Sequence, residues 1–217
     1  MKRVFGLFEV VFDILYLVTA LCIGIFLTFY SDNNISLLSG IMAFILMAGD
    51  SFHLIPRIIV IIKQDEKTYR KALGRGKQIA SISMTIFYVL LWEIGLLIYE
   101  TPYRVLFSSL IYTLAAVRIL LCLLPQNKWI DRYPPVKWGI IRNIPFFIQG
   151  LFVACLYFVG MRNLPPLSLM WLAILLSFLF YIPVVLYVHK NPKIGMMMLP
   201  KTGAYIWILI MCLLFHK

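Results

Sequence analysis

The segment Gly49-Asp50-Ser51-Phe52-His53-Leu54-Ile55-Pro56-Arg57 places an acid, an imidazole and a guanidinium inside a run of Ile, Leu, Met, Phe, Ala and Val. At about 100° per residue, Asp50, His53 and Arg57 fall on one face of a helix. The surrounding stretch, from about Ile35 to Ile62, is long enough to cross a bilayer. An ionised carboxylate at that depth costs at least a few kcal/mol, so an intramembrane acid reads as functional by default. Asp50 or Asp13 is suited to act as a general base on water, with His53 as a partner. Arg57, Arg118 and Arg142 are suited to hold a phosphate. Together these groups point to hydrolysis or transfer at a phosphorylated lipid.

Other chemistries fit less well. Asp50, His53 and His189 are the set that could converge on a metal, but HxxxH and HExxH spacings are absent, so neither a metal nor a cofactor is expected. Ser51, Ser81 and Ser83 have no nucleophile motif around them. A serine in a membrane helix more often bonds its own backbone or fills a small packing position.

The elements that must position these residues are helices. The chain of 217 residues is 62% hydrophobic and only 13% charged, with a mean hydropathy of +0.92. A soluble domain is about 45–50% apolar and about 25% charged. We therefore expect an all-α polytopic bundle forming a single integral membrane domain over residues 1–217. Seven spans are expected, at about 5–29, 36–62, 79–99, 104–124, 139–160, 167–188 and 200–216. No cleavable signal peptide is evident after Met1-Lys2-Arg3, and the first helix is expected to serve as its own insertion signal. The cysteines Cys22, Cys122, Cys155 and Cys212 all lie within apolar helices and read as small hydrophobes.

The net charge of +11 is a membrane-topology signal, not a sign of nucleic-acid binding. With the N-terminus in the cytoplasm, sixteen of the twenty Lys and Arg lie on the inner side, while Arg104, Arg162 and Lys217 lie outside. This bias predicts a cytoplasmic N-terminus and an external C-terminus. The basic stretch 63–77 is expected to lie on the inner leaflet as a short helix against anionic headgroups, with Gly74 and Gly76 turning the chain into the third span.

Most spans carry one polar stripe. Glu9, Asp13, Tyr16 and Ala20 share a face of the first. Ser81, Thr85 and Tyr88 share a face of the third, with Glu93 well off it. Arg142 and Gln149 lie on one side of the fifth, and Lys201 and Tyr205 on one side of the seventh. The sixth is polar near its middle only at Ser177 and Tyr181. Lipid offers these groups no partners, so the stripes face the bundle interior. Asp13, Asp50, His53, Arg57, Ser81, Thr85, Arg118, Arg142, Gln149, Lys201 and Tyr205 fall in the inner half and Glu93 toward the outer side, which predicts a polar cavity open to the cytoplasm. In that cavity Asp13 or Asp50 pairs with Arg118 or Arg142, and Gln149, Ser81, Thr85, Tyr88, Lys201 and Tyr205 bind substrate alongside the arginines. Snorkelling to headgroups competes for Arg57, Arg142 and Lys201.

Gly49-Asp50 followed by Leu54-Ile55-Pro56-Arg57 resembles the GD-containing helix of the YhhN family of lysoplasmalogenase-like membrane proteins. The stretch from Gly76-Lys77 through Phe87-Tyr88 is similar to that family's next helix. The resemblance covers about a quarter of the chain. It implies a many-helix bundle with an acidic active site that cleaves the vinyl-ether bond of lysoplasmalogens, and of the site residues it carries over Asp50 alone. The chain departs from the family in having no histidine in the third span and no Ser-Asp pair near the C-terminus, so a second acid would have to be Asp13 or Glu93.

Two other readings stand beside the lipid-acting enzyme. In a small proton-coupled carrier, Asp50, His53 and Glu93 form a relay and line one continuous path. In a non-catalytic binding or sensory protein, every charge is already paired. A rhodopsin is excluded, because no Lys lies midway along the last span. The compact chain without sorting tails points to a bacterial plasma membrane.

Overall fold

A computed structural model describes residues 2–30, 33–160 and 165–215. Ser31 and Asp32 of the first turn, Arg162, Lys217 and His216 lie outside the described residues. Among the described residues seven helices are long and apolar enough to cross a membrane, consistent with a multi-pass integral membrane protein. They are α1 (Lys2–Phe29), α2 (Asn34–Lys63), α3 (Glu66–Ile98), α4 (Arg104–Leu123), α5 (Val136–Gly160), α6 (Met170–Tyr187) and α7 (Met198–Phe215). Short 3-10 turns at Pro125–Asn127, Pro165–Leu167 and Pro192–Met197 lead into α5, α6 and α7.

Each helix packs on the next in sequence, and α7 returns to α1, closing a ring. Within that ring α2 and α3 are the most extensively packed pair, and α3 carries contacts further across the bundle. It packs on α2, α4 and α5, and its Tyr88 and Phe87 reach Phe178 of α6 and Tyr205 of α7. Apolar side chains at helical spacing on α3 form the centre of the core: Met84, Phe87, Leu91 and Ile94 are all buried. The α2–α3, α4–α5 and α6–α7 connections share one end of the bundle and, together with the helix ends that adjoin them, carry most of the Lys and Arg, so we refer to it as the basic end.

The clearest departure from expectation lies between α2 and α3. No surface helix and no turn precede the third span. α2 ends at Gln64, whose φ of 57° is left-handed, and α3 starts at once on the Asp65 cap, which accepts from the Thr68 amide at 3.2 Å. Those bonds from Thr68 favour the charged Asp65 carboxylate and hold its pKa below the ordinary value. A depressed pKa means that the cap supports the folded state above the ordinary carboxylate range and loses that support as the pH falls below it.

Gly74 and Gly76 are interior helix positions, and each faces a backbone. A Cβ on Gly74 would meet the Trp129 carbonyl oxygen at 2.4 Å, and one on Gly76 would meet the Phe52 carbonyl oxygen at 2.1 Å. Small residues allow membrane helices this closeness. The glycines are therefore contact points, and residues 66–77 of the basic stretch are the first three turns of α3, with Lys63 ending α2.

Other boundaries move by a few residues. Leu167 belongs to a 3-10 turn ahead of α6, and Pro200 lies inside the first turn of α7. α2 and α5 run helically through Pro56 and Pro145.

Candidate functional site

Two glycines on α2 and α3 set the rotation of α2. Gly49 sits against Ser83, where a Cβ would come within 1.8 Å of Oγ, and one turn further along α2 Gly76 sits against Phe52 and His53. With that side of α2 turned to α3, Asp50 is directed towards α1 and α7. It accepts a 2.6 Å hydrogen bond from the Tyr16 hydroxyl of α1 and faces the Lys201 ammonium of α7. Asp50 is partly buried, and Tyr16, Lys201 and Tyr205 around it are buried.

Asp13 lies one turn before Tyr16, 4% exposed, with Oδ2 lacking a hydrogen-bond partner. It faces Glu9, Arg57 and Asp50. Arg57 is held by Glu9, with Nε 2.8 Å from Oε1 and Nη2 3.4 Å from Oε2. Because Arg57 is 46% exposed, this pair sits on the open side of the α1–α2 contact and contributes little to stability.

His53 does not pair with Asp50. The acid's hydrogen bond comes from Tyr16, and among the described residues His53 Nδ1 has no partner. His53 packs where Gly76 crosses α2, beside Leu73 and Lys77 of α3, so its ring serves the α2–α3 seam. His189 is exposed beyond α6, and no three His, Cys, Asp or Glu side chains converge among the described residues.

The second polar cluster fills the space between α3, α4, α5, α6 and α7. The buried Arg118 guanidinium lies over the Phe146 ring, 3.3 Å from its centroid. Arg142 lies over Trp129 at 4.1 Å and donates to Asn127 Oδ1 at 2.8 Å. Lys201 sits over Tyr181 at 4.6 Å and Tyr205 at 5.1 Å. The expected pairs of Asp13 or Asp50 with Arg118 or Arg142 are not formed. Among the described residues the salt bridge is Glu9–Arg57. The physical reason is placement: both acids reach the α1–α2–α7 junction, whereas both arginines project from α4 and α5 onto aromatic faces.

Hydroxyl and amide groups complete this cluster. Tyr88 and Ser177 share a 2.9 Å hydrogen bond, and Tyr205 lies within hydrogen-bonding reach of both. Tyr181 donates to Asn143 Oδ1 at 3.4 Å. Gln149 is fully buried, donates to the Thr85 carbonyl at 3.4 Å, and leaves Oε1 without a partner.

Two of the substrate-binding candidates are turned to other work. The Ser81 and Thr85 hydroxyls bond the carbonyls of Lys77 and Ser81 within their own helix. Ser51 and Ser83 do the same with Ala48 and Ala80. Glu93 belongs to a different contact altogether, accepting a very short hydrogen bond from Tyr112 of α4.

Several participants were not singled out as site residues from sequence. Tyr16 carried a signal, standing on the stripe of Glu9 and Asp13. Ser177 and Tyr181 carried a similar one, as the paired polar positions of an otherwise apolar helix. Asn127 and Asn143 carried none.

Tyr16→Phe tests the geometry directly. It removes one charge-assisted hydrogen bond to Asp50 and keeps the ring in the core, so a loss of about 1.5–3 kcal/mol is expected. Denaturant unfolding in detergent measures it, and an unchanged midpoint would show that the bond contributes nothing.

Comparison with protein-family models, with curated proteins and with solved structures returns no match to this chain.

Proposed function

We propose that this chain is a membrane-embedded hydrolase that acts on a lipid at the α1–α2–α7 junction, with Asp50 as its general base. The observation that carries the reading is the setting of Asp50. It is a carboxylate inside the bundle, oriented by one hydroxyl from Tyr16, facing the Lys201 ammonium and free of any salt bridge. A carboxylate held in place but not neutralised by direct pairing is available to take a proton from water. The resemblance of Gly49-Asp50 to the YhhN helix favours a lysoplasmalogen as substrate. Asp13, also buried and with an unpartnered oxygen, is the second acid of the site.

The carrier reading is disfavoured by Glu93, which lies in the α3–α4 contact with Tyr112 and not with Asp50. A purely structural binding partner is disfavoured by the cations of α4, α5 and α7, which lack direct carboxylate partners. The charge bias at the basic end favours a cytoplasmic N-terminus, with the site in the cytoplasmic half of the membrane, and the membrane proposed is a bacterial plasma membrane. The exposed basic first turns of α3 would then meet anionic headgroups.

The test is turnover of a panel of lysoplasmalogens and lysophospholipids by the purified protein and by Asp50→Asn. The wild type is expected to release product from one lipid class. Asp50→Asn, folded to the same extent, is expected to be slower by about 10²–10⁴, the usual contribution of a positioned base. Equal turnover by the two proteins, or none by either, ends this reading.

A further inference from the structure

Arg118 is a guanidinium in the interior of a membrane protein that no carboxylate neutralises. It is 2% exposed, lies flat on Phe146, and its Nε and Nη1 are buried without an acceptor. Arg142, two turns before Gln149 on α5, is in the same condition at Nε. Arg118 is within electrostatic reach of Arg142 on one side and Lys201 on the other. Among the described residues, the carboxylate that faces any of the three is Asp50, opposite Lys201.

Charge is expensive here unless it is compensated, and an aromatic face offsets only part of a guanidinium's lost hydration. Three cations against one carboxylate leave two positive charges. A phosphate monoester carries about −1.5 to −2 at neutral pH and presents three acceptor oxygens. Guanidinium forks match those oxygens in shape as well as in charge.

We infer that the cluster of buried cations from α4, α5 and α7 binds a phosphate monoester through Arg118, Arg142 and Lys201. The phosphate is either the headgroup of a phosphatidate-type lipid or a soluble phosphate compound. A lysoplasmalogen carries its phosphate as a diester, so this ligand is a second one and not the proposed substrate. Its binding does not rest on the hydrolase reading, since it is read from the arginines and not from Asp50. The cation cluster adjoins the Asp50 site through Lys201, so a lipid phosphate held there would lie beside the proposed base.

The experiment is thermal unfolding of the full chain in detergent at constant ionic strength with dioctanoyl phosphatidate, dioctanoyl phosphatidylcholine or inorganic phosphate. A ligand that binds the folded state raises Tm in a concentration-dependent way. For the wild type, phosphatidate is expected to raise Tm and phosphatidylcholine is not. A comparable rise with inorganic phosphate would assign a soluble ligand, and its absence a lipid headgroup.

Arg118→Met removes an uncompensated charge, so without ligand it is expected to unfold at or above the wild-type temperature, and phosphatidate is expected to have no effect on it. If that variant does not fold, Arg142→Gln serves instead, with at least a tenfold weaker apparent affinity expected. No ligand effect on the wild type, an equal effect of phosphatidylcholine, or an undiminished effect on the arginine variants would overturn the proposal. Turnover by the wild type separates the two readings. A phosphatidate shift in a wild-type protein that turns over no lipid leaves the anion site standing and removes the hydrolase.

Discussion

Gly76→Ala is expected to destabilise the protein by about 3 kcal/mol, towards the top of the range for overpacking a tight interior. The added methyl would come within 2.1 Å of the Phe52 carbonyl oxygen and 2.7 Å of the His53 Cα. Both are backbone atoms of a helix, so no side chain can swing aside. Relief requires α2 and α3, the most extensively packed pair in the bundle, to move apart. That shift would carry Asp50 away from Tyr16 and Lys201, and lipid turnover is expected to fall with stability. Gly203→Ala is the control. Nothing lies within 4 Å of its Cβ position, and alanine in a helix interior is favoured over glycine by about 0.5–1 kcal/mol. Thermal unfolding of both variants in detergent should shift them in opposite directions. A Gly76→Ala protein as stable as wild type would mean that the helices do not approach this closely.

The same glycine shows what a single sequence conveys and what it withholds. Seven apolar segments of spanning length, separated by charged or proline-rich stretches, are legible because the bilayer forces each segment to satisfy its own backbone. The stretch Gly74-Arg75-Gly76 reads locally as a turn, because glycine permits one. Its actual use, letting two helices touch, depends on a partner 23 and 24 positions earlier in the chain, Phe52 and His53 flanking the crossing. Which helices are neighbours is a property of the closed ring, and hydropathy does not encode it.

The polar residues show the same division. Periodicity places Asp13, Tyr16, Asp50, Gln149, Lys201 and Tyr205 on inward faces, and the structure buries all of them at least in part. Their partners are another matter. Coulomb's law alone pairs Asp50 with an arginine. The bundle instead delivers a tyrosine and a lysine, because α1 and α7, and not α4 or α5, are the helices beside that face of α2. His53 illustrates how finely this acts. Three residues from Asp50 and on the same helix face, it nonetheless turns to α3 while Asp50 turns to α1.

Lys201→Met is expected to destabilise the protein by about 2–4 kcal/mol, whereas Asp50→Asn with Lys201→Met is expected to recover most of that loss. The argument turns on what each substitution leaves behind. Lys201 is 8% exposed and is the cation that faces Asp50. Removing it leaves the Asp50 charge inside the bundle with one hydroxyl for compensation, and an uncompensated buried charge costs more than the pair it came from contributed. The penalty is set below the roughly 3–5 kcal/mol of a fully buried contact pair, because Asp50 is only partly buried and the two groups do not form a direct salt bridge. Neutralising Asp50 as well removes the orphaned charge, so the double variant should show a coupling of about 1–3 kcal/mol in a four-protein unfolding cycle. Simple additivity would mean that the two groups do not sense each other. Stability and activity should then part company. On the proposed hydrolase reading the double variant regains its fold without the base, and is expected to remain as inactive as Asp50→Asn, which no purely structural role for Asp50 would produce.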